Sequence, residues 1–363
     1  MKLKSQILAI FCFTFFSILT TLPLNAYSKE KVILDTDMVD AFDDGFAMLL
    51  LAKAKNIELL GVTTLSGNSW AEAGTASAIR QLELSKIKDV PVAQGLIYPF
   101  RPNRYELFQL ERKFVGKGHD SWVGSFGLPK PASWVEAYKE TYHENPSLQP
   151  LETHAVDFII DTVRANPGEV TIAAIGPLGN LAMAILKAPD IVSKIKRVVY
   201  MGGSFFKPGN VTPAAEFNWY FDPEAARIVL NSKLKEQIIL GLDVCEKVVF
   251  KPKHYARFIN TLKKHPMGNV LKNSFVGQSF AKNPKFTFFV WDVLVSAVII
   301  DPSLITKSVN YYVDVNDQLG LSYGQSLAYP EIGPEGTQKA TIVTDIAADR
   351  FWDLLNTKEF WKD

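Results

Sequence analysis

The chain has 363 residues, 47% hydrophobic and 21% charged, enough apolar material for one large α/β domain or two smaller ones. That balance excludes a disordered chain. The formal net charge is +1, or −1 once Lys2 and Lys4 leave with a leader, so no basic excess points to nucleic acid. At the N-terminus, Lys2 and Lys4 precede an apolar run from Ile7 to Leu24, with small residues at Ala26 and Ser28. This is the layout of a secretory signal peptide, residues 1–26, with cleavage after Ala26 or Ser28. It implies a secreted or periplasmic protein with no stable membrane anchor after cleavage. An uncleaved anchor is the competing reading, since the run is just long enough to span. Cys12 lies inside the run, which argues against lipoprotein processing. Only Cys245 then remains, so no intramolecular disulfide can form.

Residues Lys31 to Leu34 read as a short buried strand, followed by an acidic loop and a helix over Gly45 to Lys55. A second strand is expected at Ile57 to Thr64, ending at Ser66-Gly67-Asn68, and a helix at 70–84. This β-α-β-α rhythm predicts a single Rossmann-like α/β domain over 29–363, with a mostly parallel central sheet flanked by helices. The rhythm returns with a strand at Val170 to Ile175, a helix from Leu181 to Lys187, and strands at Arg197 to Met201 and Gln237 to Leu242. Ligands of such sheets sit at the carboxyl ends of the strands, so the intervening loops should converge there. Residues 99–130 read as mobile surface, as do 251–285, which carry Lys, His, Gly and Asn among helical segments; both are suited to lids.

The segment Asp35-Thr36-Asp37-Met38-Val39-Asp40-Ala41-Phe42-Asp43-Asp44 is the most informative. Five carboxylates fall within ten residues after an apolar strand and would repel one another without a counter-ion. A hard cation such as Ca²⁺ or Mg²⁺ resolves this by taking oxygen ligands. An acidic N-cap on the next helix is the plainer alternative, but a cap needs one or two acids.

The Asp-Thr-Asp, spacer, Asp-Asp arrangement resembles the inosine–uridine type of nucleoside hydrolase, with a longer spacer than the commonest form. Gly67-Asn68, Ile175-Gly176-Pro177-Leu178-Gly179-Asn180, Met201-Gly202-Gly203, Gly209-Asn210, Ala215-Glu216-Phe217-Asn218, Asp222-Pro223-Glu224-Ala225-Ala226 and Trp291-Asp292 follow in the family's order. The resemblance implies hydrolysis of the ribonucleoside N-glycosidic bond to base and ribose. It also implies Ca²⁺ held by Asp37, Asp44, Asp292 and the main-chain carbonyl of Ile175. Asp37 would take the proton of the attacking water. Asp43 would bind the ribose 2′-hydroxyl, while Asn210, Glu216 and Asn218 would hold the other hydroxyls and Asn68 would lie beside Asp37 and the sugar. Asp35 is read as support for this inner set. A homodimer or homotetramer is the assembly the resemblance implies.

Many members carry a His before the late metal-binding Asp. Here Trp291 stands there and resembles the purine-preferring branch, where an indole stacks on the base. A core aromatic in a buried helix is the alternative for Trp291. A second stacking partner is open among Trp122, Trp70 and Tyr105. His119, in a Gly-rich loop, is a candidate base contact or an ordinary loop histidine. His254 and Tyr255 are candidates for a base contact from the second lid but read better as a solvated helix face, and Cys245 reads as buried packing.

Two other functions remain open on sequence alone. Asp35-Thr36-Asp37-Met38-Val39 fits an aspartyl-phosphate phosphatase with Asp35 as nucleophile, but that leaves Asp43-Asp44 and Trp291-Asp292 without a role. An exported, non-catalytic nucleoside- or sugar-binding protein suits the leader but needs no water-activating cation.

Overall fold

The computed structural model describes residues 28–39, 41, 43–115 and 123–362. The segment expected as a leader, Asp40, Phe42 and the loop carrying His119 and Trp122 lie outside the described residues. Eleven strands occur among the described residues: β1 (Glu30–Thr36), β2 (Ile57–Thr64), β3 (Val92–Gln94), β4 (Val170–Ala174), β5 (Ile195–Met201), β6 (Gln237–Leu240), β7 (Val249–Phe250), β8 (Phe288–Phe289), β9 (Ile305–Val315), β10 (Ser326–Tyr329) and β11 (Gln338–Ile346). Nine form one sheet, in the order β10-β9-β11-β6-β5-β4-β1-β2-β3. From β3 through β11 all neighbours are parallel; β9 and β10 extend the β11 edge antiparallel.

The central strands are apolar almost without interruption because helices cover both faces. In β1 the side chains alternate: Val32 and Leu34 enter one core with Ala173, Val199 and Leu240, while Ile33 enters the other with Ile172, Val198 and Ile239. The order 3-2-1-4-5-6 reverses direction between β1 and β4, and the ends of adjacent strands diverge into a crevice there.

Two unusually apolar helices, Asp44–Lys53 and Asp292–Ile300, pack against each other on one face. The Ser296 hydroxyl donates to the Ala47 carbonyl at 2.9 Å between them. Each begins with an acid, so apolar burial brings Asp44 and Asp292 to the same end of the sheet. No helix among the described residues is long and apolar enough to cross a membrane.

The stretch 251–285, expected as mobile surface, forms helices Pro252–Thr261, Met267–Asn273 and Phe275–Lys282. The antiparallel pair β7–β8 closes this insertion at its base. His254 and Tyr255 are not on a solvated face: His254 stacks on Trp352 at 4.2 Å and Tyr255 on Phe280 at 4.6 Å. Within 99–130, Arg104–Val115 form a helix, whose Arg104 is buried and bonded to Glu111 and to the Tyr220 carbonyl.

Candidate active site

β1 delivers Asp35 on its last turn of pleat and Asp37 just beyond its end. Asp35 pairs across the strands with Thr63 and Ala174. Its Oδ1 accepts from the Thr63 hydroxyl (2.6 Å) and the Asn180 amide (2.8 Å). Asn180 also donates to the Thr64 carbonyl, so Asp35 fastens the ends of β1, β2 and β4 together.

Asp37 is fully buried at the switch point. Its Oδ2 accepts the Asn68 backbone N–H at 2.6 Å. Two glycines make the space: a Cβ on Gly67 would stand 2.2 Å from Asp37 Oδ2, and one on Gly176 would stand 2.8 Å from its backbone nitrogen. Asp44 Oδ1 accepts from the Thr36 hydroxyl at 2.5 Å.

Four site oxygens are left over, Asp35 Oδ2 among them. Asp37 Oδ1, Asp44 Oδ2 and Asp292 Oδ1 are buried without a hydrogen-bond partner. Burial first, and the Asp44 charge second, push the Asp37 carboxyl well above the usual carboxylate range. Burial and the charges of Asp44, Asp43 and Asp37 do the same to Asp292. Burial raises Asp44 to about 6. Unpartnered buried carboxylate oxygens are costly unless something positive meets them. The Ile175 carbonyl accepts one bond, from the Asn218 amide at 3.0 Å, and keeps a second lone pair. This all-oxygen donor set fits a hard divalent cation. Among the described residues, however, no three His, Cys, Asp or Glu side chains are already drawn into a closed cage.

Of the sugar-reading candidates, Asn210, Glu216 and Asn218 follow β5, Asn68 follows β2 and Asp43 follows β1. Glu216 heads the short helix Phe217–Phe221 and accepts from Asn218 N–H (2.8 Å), Gly203 N–H (2.9 Å) and Trp219 N–H (3.2 Å). Burial pushes its carboxyl to about 7. The Asn218 amide nitrogen donates to Ile175 O (3.0 Å) and Met201 O (3.1 Å), so only its Oδ1 can face a hydroxyl. Asn210 is exposed and its Oδ1 accepts from Phe217 N–H at 3.0 Å. Asn68 is half-buried beside Asp37. Asp43 accepts three backbone N–H groups, from Trp291, Asp292 and Val293. A carboxylate takes about four such bonds, so one position remains for a hydroxyl.

Trp291 packs in part against the hydrophobic core. It occupies the N-cap of Asp292–Ile300, half-buried, with Phe288 edge-on at 5.1 Å, and its Nε1–H is buried without an acceptor. Trp70 is buried, with Nε1 donating to Leu128 O at 2.9 Å. Together with Tyr98, Arg101, Tyr105 and Phe126 it lines a cleft of about 590 Å³ next to the Gly67–Asn68 turn. Cys245 is buried and donates to the Leu240 carbonyl.

Besides Thr63 and Asn180 on Asp35, a further contact was not legible in the sequence. Gln81, buried in helix Ala71–Leu84, accepts from Ala41 N–H (3.2 Å) and donates to the Val39 carbonyl (3.3 Å). It thereby pins the acidic loop where Ala41 adopts a left-handed backbone, φ 61°. Gly45 makes room for it: a Cβ there would meet Gln81 Oε1 at 1.7 Å.

Comparison with known proteins gives one consistent result. The family model for inosine-uridine preferring nucleoside hydrolases matches residues 32–353. A pyrimidine-specific ribonucleoside hydrolase of Escherichia coli is 33% identical over 334 residues, covering 90% of this chain and 96% of its own. Among solved structures, a plant nucleoside hydrolase aligns with TM-score 0.74 at 24% identity, covering 92% of this chain and 99% of its own. A purine-preferring ribonucleoside hydrolase from Gardnerella vaginalis aligns with TM-score 0.71 at 24% identity, over 91% and 98%.

Proposed function

The chain belongs to the inosine–uridine preferring nucleoside hydrolase family, and on that premise we propose a Ca²⁺-dependent ribonucleoside hydrolase in which Asp37 is the general base. The observation that carries the reading is the set of unpartnered buried oxygens on Asp37, Asp44 and Asp292. These acids and the Ile175 carbonyl would hold the ion. When bound, the ion supplies Lewis acidity that lowers the pKa of a water.

Asp37 Oδ1 accepts the proton of the water that attacks the anomeric carbon. Its surroundings leave Oδ1 available for this: Asn68 N–H binds the other oxygen, and Oδ1 is buried without a hydrogen-bond partner. The sugar develops oxocarbenium character as the bond to the base lengthens, and buried negative oxygens stabilise that charge. Asn218 Oδ1, Glu216, Asn210, Asn68 and the remaining acceptor position of Asp43 hold the ribose hydroxyls. Contacts that tighten as the ring flattens lower the barrier rather than merely binding substrate.

The leaving base must be neutralised. Trp291 offers a π-face and no ready proton, which supports purines: a stacked purine keeps a basic ring nitrogen that solvent can protonate. The competing expectation is a pyrimidine ribonucleoside such as uridine, pyrimidines being the class in the name of the Escherichia coli relative. Separation of products from an equimolar inosine and uridine mixture decides between them. A higher kcat/KM for inosine supports the Trp291 reading; a higher value for uridine replaces it. Release of neither free base nor ribose from any ribonucleoside would leave the non-catalytic binding protein as the better account. The leader supports an exported enzyme.

A further inference from the structure

Asp43 stands at the N-cap position of helix Asp44–Lys53, yet its carboxylate makes no cap bond to that helix. It reaches instead to the N-terminus of Asp292–Ile300, about two-thirds of the chain away. Oδ2 accepts from Trp291 N–H (2.5 Å) and Asp292 N–H (2.8 Å), and Oδ1 from Val293 N–H (3.0 Å). The reason lies in the receiving helix. Its own N-cap is Trp291, whose indole has no acceptor to offer, and no side chain of its own sequence caps it. The N–H groups of a helix start must find acceptors when buried, and here one foreign carboxylate takes three.

We propose that Asp43 is a positioning residue: it sets Asp292 and Trp291 in register with Asp37 and Asp44. Asp44 is its covalent neighbour, and the backbone of Asp292 hangs from its carboxylate. The two acids come from opposite ends of the chain, and Asp43 is bonded to both. Packing of the two apolar helices brings their ends near one another, but apolar contacts are non-directional and tolerate sliding. Three hydrogen bonds to consecutive N–H groups do not. The orientation of the half-buried indole is set by the same anchor, because the Trp291 N–H is one of the three. The inference rests on reading the acidic site as the nucleoside-cleaving centre, and it gives Asp43 work beyond a sugar contact.

Asp43→Ala and Asp43→Asn, made in the full chain, test this through three readouts. The first needs neither metal nor substrate: backbone hydrogen exchange of segment 291–293 in chelator-treated protein. Exchange should be at least tenfold faster in Asp43→Ala, with the central strands unchanged. Asp43→Asn should fall between, since its one carbonyl oxygen can still accept, and it carries the test if the Ala variant does not fold. The second is Ca²⁺ affinity by calorimetry, where Kd should rise at least tenfold in Asp43→Ala. The third is the ratio of kcat/KM for inosine to that for 2′-deoxyinosine. A positioning residue lowers both and leaves much of the ratio in place. Unchanged exchange and unchanged Ca²⁺ affinity, with the ratio collapsing to one, would show a sugar contact alone and overturn the proposal. If the native protein neither binds Ca²⁺ nor cleaves nucleosides, the functional reading fails, and hydrogen exchange by itself still decides the anchor.

Discussion

At Asn218 one amide nitrogen ties the carbonyl of Ile175, at the end of β4, to that of Met201, at the end of β5. Asn218→Ala leaves both buried carbonyls without this donor, at about 1–3 kcal/mol each. It also removes the oxygen proposed to meet the ribose. The expected result is a lower Tm together with a fall in kcat/KM of about 100-fold or more, mostly in kcat. Equal kinetics at reduced Tm would confine Asn218 to packing. Gly67→Ala makes a sharper case, because its Cβ would displace the Asp37 carboxylate from 2.2 Å away. A shift of about 1 Å in a catalytic group costs about 100-fold in rate, so hydrolysis should fall by that order while the fold survives. Circular dichroism and steady-state kinetics on the same sample check it. Clustered acids such as Asp37 and Asp44 are legible in the sequence because like charges at short spacing demand an explanation. Thr63, Asn180 and Gln81 are not, since each is a lone polar residue whose partner lies 28 to 145 positions away.

Among the elements, β2 is read to the residue, and β1, β4 and β5 within two, because a strand covered on both faces is a bare apolar run between turn signals. The helices of 251–285 were unreadable as packed structure. They are short, rich in Lys and Asn, and stabilised by rings from elsewhere, such as Trp352 under His254. The antiparallel β9 and β10 escaped for a related reason: β9 is largely exposed over its first half, its buried residues gather at Val313 to Val315, and no adjoining motif flags it. The acidic loop depends on helix Ala71–Leu84 through Gln81. Gln81→Leu preserves approximate volume but removes the acceptor for Ala41 N–H and the donor to Val39 O. We expect Ca²⁺ affinity to drop several-fold with helix content unchanged. Titration of the variant showing native affinity would mean the loop holds its shape unaided.

For the whole molecule, the balance of buried charge sets the dependence on pH and metal. Glu216 has a folded pKa of about 7 against an ordinary value of 4.5, with burial as the main cause. The folded protein therefore keeps this proton longer than the unfolded chain. The associated stability is complete below about pH 4.5 and is lost as the pH rises through about 7. Glu216→Gln carries no such charge, so the native protein's Tm relative to the variant should decline between pH 5 and pH 8. A constant difference across that range would mean Glu216 titrates normally. The proposed cation acts on the same balance, meeting the carboxylate oxygens that the fold leaves without partners. Reducing-sugar release from ribonucleosides, measured on chelator-stripped protein during a Ca²⁺ titration, tests this most directly. The account predicts negligible release without the ion, saturable restoration with about one Ca²⁺ per chain, and no restoration in Asp37→Ala. Full activity in protein shown by elemental analysis to carry no divalent cation would contradict it.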